Sequence, residues 1–209
     1  IKINDMLVGN LQNWARLKRR DILYKQAQRY KADIVLGHQH DDQIETIYMR
    51  LIKKSGFGGL VGMKKTSHWM ELKVLRPLLN IRKIEIVNFL NDKKIPYIID
   101  PSNMNYKFDR IKSRKTLYLF KINNFTGIEK NLIKLANLSK RLIDLLKKNN
   151  HEWIKNYVQY FPHGSISINF KKLFVIFEKS IEYCAYLLGN LIKNVGGNFY
   201  VPRKKKLIK

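Results

Sequence analysis

Residues 32–46 read ADIVLGHQHDDQIET, and the order of residue types in this stretch decides the fold. An apolar run of strand length ends at Gly37, two histidines, two aspartates and a glutamate fall within residues 37–46, and Ile44, Ile47, Tyr48, Leu51 and Ile52 then recur in steps of three and four. A period near 3.6 after a short apolar run reads as strand, short turn, helix. Lys53 and Lys54 put cations at the end of that helix, and Gly56 is the expected left-handed stop. Upstream, Leu11, Trp14, Ala15, Ile22, Leu23 and Ala27 mark a helix over residues 9–30, made basic by Arg16, Lys18, Arg19 and Arg20. Downstream come the glycine-rich SGFGGLVGM (55–63), the apolar KVLRPLL (73–79), a helix over about 81–93 carrying Ile84, Val87 and Leu90, and YIID (97–100) between Pro96 and Pro101. Helices alternating with short apolar strands predict an α/β unit with a partial parallel sheet flanked by helices.

Beyond about Lys115 the pattern changes. Ile128, Leu132, Leu135, Leu142 and Leu146 form a long helical stripe, and residues 171–194 form another, rich in Leu, Ile, Phe and Tyr. Pro162 and Gly164 separate the two, with a strand-like ISINF following. The expected division is therefore an α/β part over 1–115 and a mainly α-helical part over 116–209. The tail PRKKKLIK is a charge run that serves equally as a solvated end or an RNA contact.

Composition narrows the function. With 209 residues and 45% hydrophobic content the chain buries a core. Forty-one Lys and Arg against sixteen Asp and Glu give a net charge of +25, which draws polyanions and weakens with salt, so nucleic acid is the leading partner. Cys184 stands alone, which removes a disulfide framework and any Cys-based zinc or iron–sulfur site from this chain and fits a reducing cytoplasm. No apolar run approaches the roughly 20 residues of a membrane span, and no signal-peptide pattern opens the chain. The first residue is Ile1 rather than Met, from which we expect a piece of a longer protein.

The acidic stretch admits three chemistries. His38, His40, Asp41, Asp42 and Glu45 could ligate a transition metal, since residues four apart share a helix face, although the His-Glu-x-x-His arrangement is absent. Acidic residues in a first turn also cap free N–H groups and complement the helix dipole with no further role. That account leaves out His38 and the Gly-His ending of the strand. Ligands bind at the carboxyl ends of parallel strands, and carboxylates beside a phosphate call for Mg²⁺ between them, so a nucleotide–metal complex is the third reading.

GHQHDDQIET followed by Met49-Arg50-Leu51, SGFGGLVGM, Arg76-Pro77-Leu78-Leu79 and Asp100-Pro101-Ser102-Asn103 resembles the tRNA(Ile)-lysidine synthetase family, in the family's order and at similar intervals across about residues 9–115. LQNWARLKR upstream and GGNFYVPR at 196–203 are also similar to family segments. The resemblance implies the C-terminal part of an ATP-pyrophosphatase-type (PP-loop) domain, followed by a helical domain that contacts tRNA. It also implies ligation of free L-lysine to the wobble cytidine of a CAU-anticodon tRNA(Ile), using ATP and Mg²⁺ through an adenylated cytidine, and it leaves room for a homodimer. By matched position, His38, Asp42 and Arg110 would be catalytic, and Asp41, Glu45 and Thr46 would lie near nucleotide or Mg²⁺ as orienting or capping neighbours. Arg16, Arg19, Gly56, Gly59, Arg76 and Arg114 would meet RNA or the activated intermediate, with no metal held by protein alone. Asn103 is expected to shape its turn.

The sequence also departs from the family. The Ser-Gly-Gly-x-Asp-Ser phosphate loop is absent, so the chain is expected to begin after it. The family's Arg-Asn-x-x-Arg is Arg110-Ile111-Lys112-Ser113-Arg114 here, and Gln12 and Arg20 replace a glutamate and a tyrosine. Two rivals remain: a related tRNA 2-thiolation enzyme, for whose sulfur chemistry one cysteine is too few, and a non-catalytic basic tRNA-binding fragment or degenerate relative.

Overall fold

The computed structural model of the chain describes residues 11–98, 109–125, 127–197, 201, 202 and 207. It divides into two compact units, 1–140 and 141–209.

In the first unit α1 (Leu11–Arg29) leads into β1 (Ile34–Val35). β1 pairs in parallel with β3 (Leu72–Leu75), Ile34 opposite Val74 and Val35 opposite Leu75. The parallel pair agrees with the expected sheet. A further strand, β2 (Thr66–Trp69), runs antiparallel to β3, giving the order β1-β3-β2 and a mixed sheet. The alternation in TSHW is too short to read as a strand, and its turn relies on Met70 at φ +53° rather than on glycine, so no sequence signal marked this hairpin. Tyr97 and Ile98 of YIID form no strand, Ile98 being 95% exposed; Asp100, Ser102 and Asn103 lie outside the described residues.

Two apolar clusters hold this unit. Ala27 of α1, Ile34 and Val74 form one, with Leu23, Leu36, Trp69 and Leu72 packed against it. In the other, Ile44 and Ile47 of α2 (His40–Ile52) meet Leu117 of α5 (Asp109–Ile122) and Leu132 and Ala136 of α6 (Ile128–Tyr157). Spacings of three and four put these residues on the inner faces of their helices, each fully buried Leu or Ile contributing about 1.5–3 kcal/mol. The unit also contains the short α3 (Phe57–Leu60), a 3₁₀ turn over Pro77–Asn80 and α4 (Lys83–Asp92).

The stop of α2 differs from expectation. Gly56 sits at φ −65° as the N-cap of α3, while Lys54 takes φ +53°. Ser55 N donates to Arg50 O and Lys54 N to Leu51 O, the paired bonds of a Schellman closure, which forces the left-handed residue two places before the glycine. Lys31, Lys94 and Asn124 close α1, α4 and α5 in the same way, all at positive φ. A left-handed lysine costs about 1 kcal/mol, so Lys54→Gly is expected to stabilise the protein by ~1 kcal/mol in urea unfolding. No gain would mean that the Lys54 side chain offsets its own strain.

In the second unit β4 (Val158–Tyr160) and β5 (Ile166–Ile168) form a hairpin whose turn includes Gly164 at φ +84°. The apolar stretch 171–194 is two helices rather than one, α7 (Phe170–Lys179) and α8 (Ile181–Val195). Ser180 adopts φ −161°, ψ 103° and its hydroxyl accepts from Tyr183 N, the N-cap use of serine that overrides a continuous apolar pattern. α8 buries Cys184, Leu187 and Leu191, one face at helical spacing. A Cβ on Gly189 would lie 2.7 Å from Val201 Cγ1, so a side chain there would collide with the returning chain. Arg203–Lys206 of the basic tail lie outside the described residues.

Candidate functional site

His38 follows Gly37 at the carboxyl end of β1, and α2 starts two residues later because its first turn is capped on both sides. Gln39 N donates to Asp42 Oδ2 at 3.1 Å, the Gln39 side-chain oxygen accepts from Asp41 N, and His40 N donates to Ile81 O at 2.9 Å. These bonds satisfy orphan donors of the helix end and fix the direction of the acidic side chains. Helical spacing then places Asp42 and Glu45 on the face that meets α5.

There they meet two arginines four residues apart. Arg110 Nη2 donates to Asp42 Oδ1 at 2.7 Å and Arg110 Nε to Glu45 Oε2 at 2.8 Å. Arg114 donates to both Glu45 oxygens, at 2.6 Å from Nε and 3.3 Å from Nη2. Glu45 is 3% exposed, whereas both guanidiniums are about 40% exposed at the side chain. A carboxylate that deep is tolerated only when charge-assisted hydrogen bonds saturate it, and two planar forks do so here. The hydrogen bond to Glu45 raises Arg114 further above the arginine range.

His38 is half-buried within electrostatic reach of Asp42, and its Nδ1 is buried with no hydrogen-bond partner among the described residues. Burial lowers its pKa below the ordinary 6.5, opposed by Asp42 and reinforced by Arg76, Arg110 and Arg16. The ring is therefore neutral near pH 7, with one nitrogen free to accept. Since the folded pKa lies below the unfolded one, stability is full above about pH 6.5 and falls as pH drops below it, until both states are protonated. His38→Gln is expected to flatten that part of the stability–pH curve; an unchanged slope would assign it to other groups.

Arg76, 9% exposed, spends Nη1 on Lys64 O (3.0 Å) and Ser67 Oγ (2.9 Å), and its buried Nε has no hydrogen-bond partner among the described residues. Arg16 lies within electrostatic reach of His38, Arg50 and Arg76. Asp41 accepts from Lys83 N at 2.8 Å, and Thr46 Oγ1 donates to Asp42 O at 2.7 Å, so both brace their own neighbourhood. Arg19 is exposed, and no described contact brings it or Gly56 to the cluster. Gly59 faces Ser55, where a Cβ would approach to 2.8 Å, and its carbonyl accepts from Arg50.

Two residues quoted within the sequence motifs but given no role there connect the site to the glycine loop. Gln43 donates from Nε2 to Met63 O at 2.9 Å and accepts Met63 N at 2.7 Å, and Arg50 Nη1 donates to Gly59 O (2.7 Å) and Gly62 O (3.1 Å). A side chain at Gly62, φ +78°, would fall 2.7 Å from the Gln43 amide. Gln43→Ala leaves a half-buried backbone donor and acceptor unpaired and is expected to cost ~1–3 kcal/mol, with new protease cleavage in 56–63. An unchanged cleavage pattern would show the loop held by other contacts. The available signal was Arg50, a charge inside the apolar run of α2.

The residues present fit a nucleotide in one respect: buried nitrogens of His38 and Arg76, without a hydrogen-bond partner among the described residues, lie near the carboxyl ends of β1 and β3, where anions and bases bind in parallel sheets. Among the described residues no three His, Cys, Asp or Glu side chains gather as a metal cage, and the Asp42 and Glu45 oxygens are already engaged. An Mg²⁺ would therefore take most of its ligands from phosphate and water. No helix among the described residues is long and apolar enough to cross a membrane.

A parallel strand pair flanked by helices, with a carboxylate–histidine–arginine group near its carboxyl end, defines an α/β domain of the nucleotide-using kind. Residues 2–119 match the PP-loop domain, and the chain belongs to that family, which implies ATP as the nucleotide. It is 36% identical to a tRNA(Ile)-lysidine synthase of Mycoplasma mycoides subsp. mycoides over 97% of this chain and 47% of that one. Identity to the tRNA(Ile)-lysidine synthase of Chlamydia muridarum is 31%, over 77% and 52% respectively. The chain thus spans about half the length of these curated relatives. Among solved structures, the U34-tRNA thiolase NcsA from Methanococcus maripaludis shares the fold, with a TM-score of 0.51 and 20% identity over 69% of this chain and 46% of that one.

Proposed function

We propose that the complete protein is a tRNA(Ile)-lysidine synthetase, which activates the wobble cytidine of a CAU anticodon with ATP and joins free L-lysine to it. What supports this is the Asp42–Glu45–Arg110–Arg114 cluster beside a neutral His38, together with the relatives above. Glu45 fixes the two arginines; Arg110, anchored on one side and part exposed, keeps a cationic edge for the anionic intermediate. His38 offers a neutral nitrogen to the base or nucleotide, and Asp42 provides the negative charge that receives an ammonium or a phosphate-bound Mg²⁺. Mg²⁺, when bound, would neutralise phosphate charge. Arg16 and Arg76 add positive potential, residues 56–65 approach the RNA, and the helical part over 116–209 contacts the tRNA body; a homodimer is compatible with this reading. Cys184 is buried and its thiol pushed up, so it provides neither a nucleophile nor a cluster ligand for thiolation.

The test incubates the complete protein with ATP, L-lysine and a CAU-anticodon tRNA(Ile) transcript. Mass spectrometry should show one added lysine at the wobble cytidine, dependent on both small substrates and absent for a GAU transcript. Salt-sensitive tRNA binding with no nucleotide turnover would instead establish the binding-fragment reading.

A further inference from the structure

Within the 56–65 loop that the proposed function brings to the RNA, the residue to which it gives no contact is Phe57. It is the first residue of α3, between Gly56 and Gly58, and stays 54% exposed although its loop is tightly held. Arg50 and Gln43 tie Gly59, Gly62 and Met63 to α2 through four hydrogen bonds. Arg76 ties Lys64 O and Ser67 on the far side. Among the described residues no ring contact engages this exposed aromatic side chain, and the clamp leaves less backbone ordering entropy to be lost when something binds. Around it in sequence are the exposed cations Lys54, Lys64 and Lys65. A rigid aromatic face among cations matches an unpaired nucleobase with its flanking phosphates, because stacking needs only a π-face and the phosphates need only charge. The same cations disfavour an apolar protein surface, which leaves them no counter-charge.

We propose that Phe57 stacks on an unpaired base of the RNA substrate, and that Gln43 and Arg50 are positioning residues that hold this platform beside the Asp42 site. This rests on the reading of the substrate as a tRNA with a single-stranded anticodon loop. The step involves no bond making, so it is read by binding alone.

The test titrates the complete protein, without ATP or lysine, with a CAU anticodon stem-loop carrying 2-aminopurine in the loop, and with a fully paired duplex of equal charge. Stacking should quench the fluorophore on the stem-loop. Phe57→Ala should remove the quenching and weaken stem-loop binding about 10-fold, leaving duplex binding and the salt slope unchanged. Phe57→Tyr should restore both, whereas Phe57→Leu, which keeps apolar bulk without a π-face, should not. Lys64→Gln should lower the salt slope by about 1 and keep the quenching. Stem-loop binding by Phe57→Ala or Phe57→Leu equal to the unaltered protein would overturn the proposal. Lysine incorporation is scored separately, so loss of stacking with catalysis intact, or the reverse, tells failure of this inference from failure of the catalytic reading.

Discussion

Asp42→Ala in the complete protein is expected to lower lysine incorporation by about 10²–10³-fold, the usual consequence of deleting one pre-placed electrostatic group. The residue also accepts the Gln39 N–H and pairs with Arg110, so the substitution should cost ~1 kcal/mol of stability from the lost cap, and somewhat more from the part-exposed ion pair. Asp42→Asn separates the two effects: its amide oxygen can keep the cap, while the charge is lost. Turnover should fall nearly as far as in the alanine variant, with most of the stability retained. If either variant modifies tRNA at the unaltered rate, Asp42 has no part in the chemistry and its role is confined to starting α2.

Glu45→Ala has the largest expected effect on stability. Removing one partner of a buried ion pair usually costs 3–5 kcal/mol because the remaining charge is stranded. Here both arginines are about 40% exposed and regain water, so the expected loss is about 2–4 kcal/mol, still a large part of a typical domain's 5–15 kcal/mol. Glu45→Gln, which keeps shape and acceptor oxygen, should cost less. Both are read as shifts of the urea midpoint at constant slope. A midpoint unmoved by Glu45→Ala would mean that α2 and α5 are held by Ile44, Ile47 and Leu117 alone, leaving the arginines free of a structural task.

Much of the first unit was legible because its signals are local. The change from an apolar run to a 3.6-residue period at Gly37 places β1 and α2, and Ile84, Val87 and Leu90 place α4. The antiparallel β2, the left-handed stop at Lys54 instead of Gly56, and the break at Ser180 were not legible. At Met70 and Lys54 a residue takes a left-handed backbone state that its type does not announce, and at Ser180 an N-cap signal was hidden inside a continuous apolar pattern. The candidate site follows the same division. That His38, Asp41, Asp42 and Glu45 would cluster follows from spacing on one helix start. That Glu45 would be the deepest of them, and that Gln43 and Arg50 would face the glycine loop, does not.

The amino-acid order by itself determined the strand-to-helix transition at residues 37–40, the amphipathic faces of the long helices and the excess of positive charge, all set by neighbours within a few positions. Only the tertiary structure decided which arginines meet Asp42 and Glu45, 65 to 69 residues away, and where the loop carrying Phe57 is fastened. Those pairings depend on helix packing that brings distant charges within hydrogen-bond range, and a linear pattern does not carry through-space distances.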